Sequence, residues 1–382
     1  MTGDVERESF RKVVAAFVDH EVAPHAMEWD RAEAMDRSIV GRLARIGALG
    51  ITVPEEYGGS GGDHHAYVSL MEELGRGDSC VRGIVSVSLG LVGETILRYG
   101  DETQKRTWLP ALCSGQLVGC FGLTEPDSGS DPASLRMRAV REGDDWVLTG
   151  HKVFITNGTW ADLALVFART GEAGPKGISA FLVPTASDGF AAVPVTGKLG
   201  LRSQSTGNLR LDQVRVPDAA RLGELNGGFA IAMTALVAGR LSVAAGCVGL
   251  ARGCLEAAVA YARLREQFGR AIAGFQLVQE LLADIAVETD AARCLVRHAA
   301  DLIEAGAPDA ALAASKAKLF ASEVAVRASG NALQVFGGHG YVDDHPIGKY
   351  LRDARAMTLY EGTSQIQRLI IGRALTGVSA FS

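Results

Sequence analysis

Trp146-Val147-Leu148, Val153-Phe154-Ile155-Thr156, Leu163-Ala164-Leu165-Val166-Phe167 and Ile178-Ser179-Ala180-Phe181-Leu182-Val183 follow one another through the middle of the chain, with Leu209-Arg210-Leu211 after them. Short runs rich in β-branched and aromatic residues, bounded by turn formers, read as strands. No segment between them is a long helix, so crossover βαβ units are excluded and an antiparallel sheet or small barrel is expected. The β-rich part opens at about Gly119. Before it, apolar residues recur at helical spacing, as in Phe10, Val13, Val14, Phe17 and again Val40, Leu43, Ile46. The glycine-rich stretch Pro54–Gly62 is a loop, and Pro110 is placed near the end of the last helix of this part. After Leu225-Asn226-Gly227-Gly228 the chain turns helical again, with alanine-rich stretches at about 229–264, 275–306 and 308–336 and a short helix after Thr363. The expected fold class is α+β: an N-terminal helical domain (1–118), a middle antiparallel β domain (119–224) and a C-terminal four-helix bundle (225–382).

A chain of 382 residues exceeds one ordinary core, and 47% hydrophobic with 21% charged residues is a soluble globular composition. The net charge of −6 is spread without a basic block, which removes the electrostatic footprint of nucleic-acid binding. Cys80, Cys113, Cys120, Cys247, Cys254 and Cys294 form no Cys-x-x-Cys pair; they read as core thiols in a reducing compartment, with neither disulfides nor a metal site. The N-terminal Met1-Thr2-Gly3-Asp4-Val5-Glu6 has no basic start followed by an apolar run. Charges such as Arg240 and Arg252 interrupt the apolar stretches before membrane-spanning length, so a cytoplasmic protein without a membrane partner is expected.

Five clusters carry candidate chemistry. Leu123-Thr124-Glu125-Pro126-Asp127-Ser128-Gly129-Ser130-Asp131 runs from a strand end into a turn dense in hydroxyls and backbone donors. Thr124 and Ser130 suit a phosphate or a heteroaromatic edge, and the same residues also read as a capped hairpin loop. Val153-Phe154-Ile155-Thr156-Asn157-Gly158 is a strand ending in a hairpin signal. Its alternation puts Phe154 and Thr156 on one face, as core or as a platform for a flat cofactor. Arg265-Glu266-Gln267-Phe268-Gly269-Arg270 ends a helix either as ordinary capping or as a pyrophosphate and adenine contact. Gln334-Val335-Phe336-Gly337-Gly338-His339-Gly340 allows close backbone approach, but no Rossmann or P-loop signature is present. In Tyr360-Glu361-Gly362-Thr363-Ser364-Gln365-Ile366-Gln367-Arg368, Ser364 and Gln367 read as a capping box, with Ile366, Leu369 and Ile370 as the buried face of the helix that follows. Glu361 then lies at a helix entrance. It is a solvated glutamate near a positive helix end, or a desolvated carboxylate of raised pKa able to act as a base.

Together, in this order and spacing, the five clusters resemble the acyl-CoA dehydrogenase family, and the α–β–α layout covers nearly the whole chain. The resemblance implies bound FAD, with Glu361 as the base that removes the α-proton of an acyl thioester while flavin accepts the β-hydride. It implies flavin or pyrophosphate contacts from Phe121, Leu123, Thr124 and Ser130, with Phe154 and Thr156 against the isoalloxazine. Arg265, Gln267, Phe268 and Gln276, then Gln334, Gly337 and Gly338, match segments that hold the adenine end of FAD across a subunit boundary, implying a homotetramer or homodimer. Thr363 and Gln365 match later FAD contacts, and Ser130, Arg240 and Gly362 the substrate side. An electron-transferring flavoprotein is the implied acceptor.

One departure concerns the carrier. The family often has an aspartate three residues before an arginine where this chain has Val237-Ala238-Gly239-Arg240. Acyl-CoA and acyl-carrier-protein thioesters are therefore both carried as substrates, the second resembling dehydrogenases of polyketide pathways. Gly239 leaves room where some members place an alternative glutamate base. Rival readings are an acyl-CoA oxidase or flavin monooxygenase on the same fold, and a non-enzymatic DNA-binding member. Glu94 reads as a solvated helix residue or as a polar element at the pocket floor.

Overall fold

The computed structural model describes residues 3–381; Met1 and Thr2, which begin the N-terminal stretch read above, and Ser382 lie outside the described residues. The N-terminal part is helical: α1 (Asp4–Phe17), α2 (Ala26–Ala32), α3 (Ile39–Arg45), α4 (His64–Gly77), α5 (Ser79–Val85), α6 (Glu94–Tyr99) and α7 (Glu102–Cys113). A π-helical stretch, Ser86–Gly93, joins α5 and α6. Pro110 lies inside the last turns of α7.

The sheet strands are β1 (Gly119–Gly122), β2 (Arg138–Glu142), β3 (Asp145–Ile155), β4 (Leu163–Arg169), β5 (Ile178–Pro184), β6 (Phe190–Pro194), β7 (Gly207–Pro217) and β8 (Arg221–Leu222). They run in the order β6-β7-β3-β2-β4-β5-β8, with β1 on β4. Most pairings are antiparallel, but β1 pairs β4 in parallel and β2 meets β4 in parallel at Arg138↔Arg169. The sheet is thus mixed. A parallel pair needs a long return connection, and here the β2–β3 excursion supplies it in place of a helix.

Asn157-Gly158 makes no hairpin, since β3 pairs β2 and β7 and not β4. Asn157 does take the left-handed conformation (φ 63°). Its fully buried side-chain amide donates to the carbonyls of Ile84 and Gly119, tying sheet to helices.

The C-terminal part comprises α8 (Gly228–Leu264), the small hairpin of β9 (Glu266–Gln267) and β10 (Arg270–Ala271), then α9 (Gln276–Glu304), α10 (Ala310–Phe336), α11 (Ile347–Met357) and α12 (Ser364–Thr376). The sequence reading contains no α11. Its buried face includes Lys349, whose ammonium meets Asp353 at 2.6 Å and Asp78 at 3.0 Å, so the apolar period is broken by an ion pair.

Small residues bring the helices close. A Cβ on Gly75 of α4 would lie 2.3 Å from the carbonyl oxygen of Gly246 on α8, so these backbones touch. Contrary to the expectation that charges interrupt them, Ser79–Tyr99 and α8 are long and apolar enough to cross a membrane. Their apolar windows are 89% and 72% buried within the protein, as in helices that cross a large core. The cysteines divide: five are buried, and Cys294 is exposed on the outer face of α9.

Candidate active site

A cavity of about 560 Å³ opens where α5, the sheet edge, α8 and the segment before α12 meet. Phe121, Leu123, Thr124, Ser130, Phe154, Thr156, Arg240, Glu361 and Gly362 all line it. Its sheet side is held by a buried ion pair. Lys152 donates to the carbonyl of Leu123 (3.0 Å) and to Glu125 (2.8 Å). The Glu125 carboxylate also accepts from the amides of Arg136 (2.6 Å) and Met137 (3.0 Å). Burial pushes the Lys152 ammonium down to about 8, with Glu125 acting against the shift. Next along β3 a register shift between Lys152 and Ile155 puts Phe154 at φ 58°, and the ring stays 69% exposed beside Thr156. An exposed aromatic on a bulge departs from plain strand alternation.

On the helical side, Glu361 and Gly362 are consecutive left-handed residues, φ 56° and 86°. The turn is pinned from behind. Lys318 of α10 donates to the carbonyl of Gly362 (2.7 Å), and Gln367 donates to the carbonyls of Glu361 (3.0 Å) and Gly362 (3.1 Å). The expected Ser364–Gln367 capping box is not formed. Thr363 is the N-cap, its hydroxyl accepting from the amide of Ile366 (3.2 Å), which frees Gln367 to reach back. Ser364 and Gln367 are the buried side chains of α12; Ile366 and Ile370, expected to be buried, are half-buried and line the cavity, while Leu369 is also half-buried.

The Glu361 Oε2 is buried with no hydrogen-bond partner. Desolvation pushes the carboxyl up to about 7, opposed by the positive charges of Arg240, Lys318 and Arg82. Gly239 leaves the carboxylate its place, since a Cβ at that position would sit 2.5 Å from Oε2 and displace the end of the Glu361 side chain. Arg240 and Lys318 are themselves buried, which lowers both; Lys318 falls to about 8. The amide N–H of Glu361 has no partner among the described residues.

Arg82 and Lys318 were missed by sequence reasoning. For Arg82 the available signal was a lone cation in the otherwise apolar or small-residue run Ser79–Val85; Lys318 shares Ala310–Phe336 with Lys316 and Arg327, and nothing local singled it out.

Other expected residues lie elsewhere. Arg265, Gln267, Phe268, Gln276, Gln334, Gly337 and Gly338 are all exposed and line none of this cavity. They gather at the far ends of α8 and α10, where Tyr261 stacks on Phe336 with ring centroids 4.2 Å apart. Thr363 and Gln365 flank the site without lining it. Val237 faces a second cavity of about 580 Å³, together with Glu94 and His64. Glu94 is half-buried there rather than solvated, accepts from Thr52 (2.9 Å) and is raised by burial.

Sequence models of the acyl-CoA dehydrogenase N-terminal, middle and C-terminal domains match residues 4–116, 120–214 and 226–376. An acyl-CoA dehydrogenase of Bacillus subtilis (strain 168) is 43% identical over 373 residues, covering 97% of this chain and 98% of that protein. Among solved structures, a glutaryl-CoA dehydrogenase from Mycobacterium smegmatis superposes with TM-score 0.94 at 40% identity, covering 100% of this chain and 97% of that one. A prolyl acyl carrier protein oxidase does so with TM-score 0.94 at 32% identity, over 98% and 100% of the two chains. Matched in all three domains and along nearly its whole length, the chain belongs to the acyl-CoA dehydrogenase family, flavoprotein oxidoreductases that depend on FAD.

Proposed function

We propose that the chain dehydrogenates an acyl thioester between its α and β carbons, with Glu361 as the base for the α-proton. One observation carries the reading: a carboxylate with a buried, unpaired oxygen and a pKa of about 7 faces the same cavity as an exposed aromatic ring on the sheet edge.

The residues present fit FAD. Phe154, bare on its bulge, offers a flat apolar face, and Thr124, Thr156 and Ser130 add hydroxyl donors around it. These residues, with Phe121 and Leu123, would hold its flavin end. When bound, FAD supplies the acceptor for the hydride that leaves the β-carbon.

The chain's own residues account for the proton chemistry. An α-proton beside a thioester is weakly acidic, so a base tuned close to neutrality is more effective than an ordinary glutamate. The cations around Glu361 temper that tuning, so the carboxylate form persists at neutral pH. As the proton leaves, negative charge develops on the thioester oxygen, and the unbonded amide of Glu361 is a donor available to it. Lys318 and Gln367 hold that amide and its carboxylate in one fixed turn. Leu91, Phe229, Met233 and Leu236 wall the cavity against water.

CoA is the proposed carrier, with an electron-transferring flavoprotein as acceptor. A carrier-protein thioester is the second reading. It is favoured by Val237, which presents no polar atom where the family often has aspartate, and by the similarity to a carrier-protein oxidase. The exposed residues from Arg265 to Gln276 and from Gln334 to Gly338 would serve the FAD of a second copy in a homodimer or homotetramer.

The test is anaerobic mixing of the flavin-loaded protein with acyl-CoA and acyl-carrier thioesters while flavin bleaching is followed. Wild type is expected to bleach, and Glu361→Gln to keep FAD without bleaching. A variant that bleached at the normal rate would remove Glu361 from the role. Rapid reaction of the reduced flavin with oxygen would move the assignment to an oxidase.

A further inference from the structure

The second cavity, of about 580 Å³, is bounded by the π-helical stretch with α6, by α8, and by the connection between α9 and α10. Met233 of α8 lines both this cavity and the main one, so its side chain stands in the wall between them. Leu91 and Gly90, neighbours in the π-helical stretch, line the main and the second cavity respectively. An unbranched thioether with three rotatable bonds is the kind of side chain that swings out of such a wall at low cost.

Most polar groups of the second cavity are already spent within the protein. Tyr99 donates to Thr234 (2.9 Å), Thr234 to the carbonyl of Ala230 (3.0 Å), Thr95 to the carbonyl of Leu91 (2.5 Å), and Thr52 to Oε1 of Glu94 (2.9 Å). The pair left over is Glu94 and His64. Oε2 of Glu94 lies 4.0 Å from Nε2 of His64, beyond hydrogen-bond length. Nδ1 of the same ring is held by Glu304 at 2.5 Å, and Glu304 also accepts from the His64 amide (3.1 Å), so the imidazole is anchored from the side away from Glu94. Leu97, Val237 and Ile303 make the remaining wall apolar.

A single oxygen at ordinary hydrogen-bond length from both atoms fits a separation of 4.0 Å. With Nδ1 committed to Glu304, a proton shared between Oε2 and Nε2 makes one of them a donor and the other an acceptor, whichever holds it. A hydroxyl answers both at once. A carbonyl only accepts, an ammonium only donates, and a carboxylate would meet the like charges of Glu94 and Glu304.

We propose that the second cavity is the far end of the acyl site, reached past Met233, and that it takes an acyl chain with a hydroxyl at its distal end, held between Glu94 and His64. The proposal rests on the thioester-dehydrogenase reading above and specifies its acyl group.

The test follows flavin bleaching of the flavin-loaded protein by hexanoyl-, octanoyl- and decanoyl-CoA, each plain, with a terminal hydroxyl and with a terminal amine, and by butyryl-CoA. At one length or more the hydroxylated thioester is expected to exceed its plain and amino counterparts in kcat/KM by about tenfold, the worth of one good hydrogen bond. Glu94→Leu should bring that ratio to about one, and Glu94→Gln, which keeps a polar atom in place, should retain part of it. His64→Phe, at the half-buried rim, should also lower the ratio and serves where Glu94→Leu does not fold. The loss should lie in KM for the hydroxylated series. If plain or amino chains match the hydroxylated ones at every length, if only butyryl-CoA bleaches the flavin, or if the variants lower all series equally, the hydroxyl site is overturned while the dehydrogenase reading stands. If no thioester bleaches it, the dehydrogenase reading falls and this inference falls with it.

Discussion

Glu361 owes its character to where its side chain ends. With the ordinary value at 4.5 and the folded value at about 7, the folded state binds the extra proton between those limits. The sign follows: below 4.5 both states are protonated and the group contributes nothing, and as pH rises through 7 the folded state bears the full cost of a buried carboxylate. Glu361→Gln should therefore be more stable than wild type at pH 8, by on the order of 2–3 kcal/mol, with the difference vanishing near pH 4.5. Urea unfolding at the two pH values measures this. The rate of flavin bleaching in wild type should climb with pH through about 7, since the carboxylate is the active form. Lys318 is one of the charges that hold this value down, so Lys318→Met should move the midpoint upward, by about one unit. An unmoved midpoint would make Lys318 a purely structural residue. At this scale the sequence located Glu361 correctly at a helix entrance, but misassigned the cap. Thr363 and Ser364 are both competent N-caps, and only the backbone path selects between them.

Among the elements, the union of β3 with the polar turn after β1 matters most to the cofactor side. Glu125 satisfies one buried lysine and two backbone amides at once. Glu125→Ala leaves Lys152 charged and unpaired in the core, and should cost about 3–5 kcal/mol with faster loss of FAD. Denaturant unfolding and flavin release by fluorescence test both, and the double change to Glu125→Gln with Lys152→Met should recover part of the stability. The strands and long helices were legible because their periods of two and 3.6 are local. The parallel β1–β4 pairing and the ionic face of α11 were not, because each depends on partners distant in the chain.

Across the whole molecule, Leu264, Phe268, Leu277 and Val287 are exposed by 83%, 94%, 75% and 69%, a run of large apolar side chains along the end of α8, the hairpin and α9. Monomeric proteins seldom leave so much apolar surface bare, so this face should be covered by another copy of the chain. Val287→Asp is expected to lower the mass measured by sedimentation and to weaken FAD retention together. A wild-type monomer in that experiment would refute it.

The sequence by itself determined the order of helical, β and helical parts and the family, because periodicity and motif spacing are written along the chain. It also named nine of the residues that line the cavity, Glu361 and Phe154 among them. What only the tertiary structure decided is the electrostatics: Arg82, Arg240 and Lys318 lie on three separate helices, yet all act on Glu361. Charge interacts through space in a low-dielectric interior, and the distances that set it arise only once α5, α8 and α10 are packed.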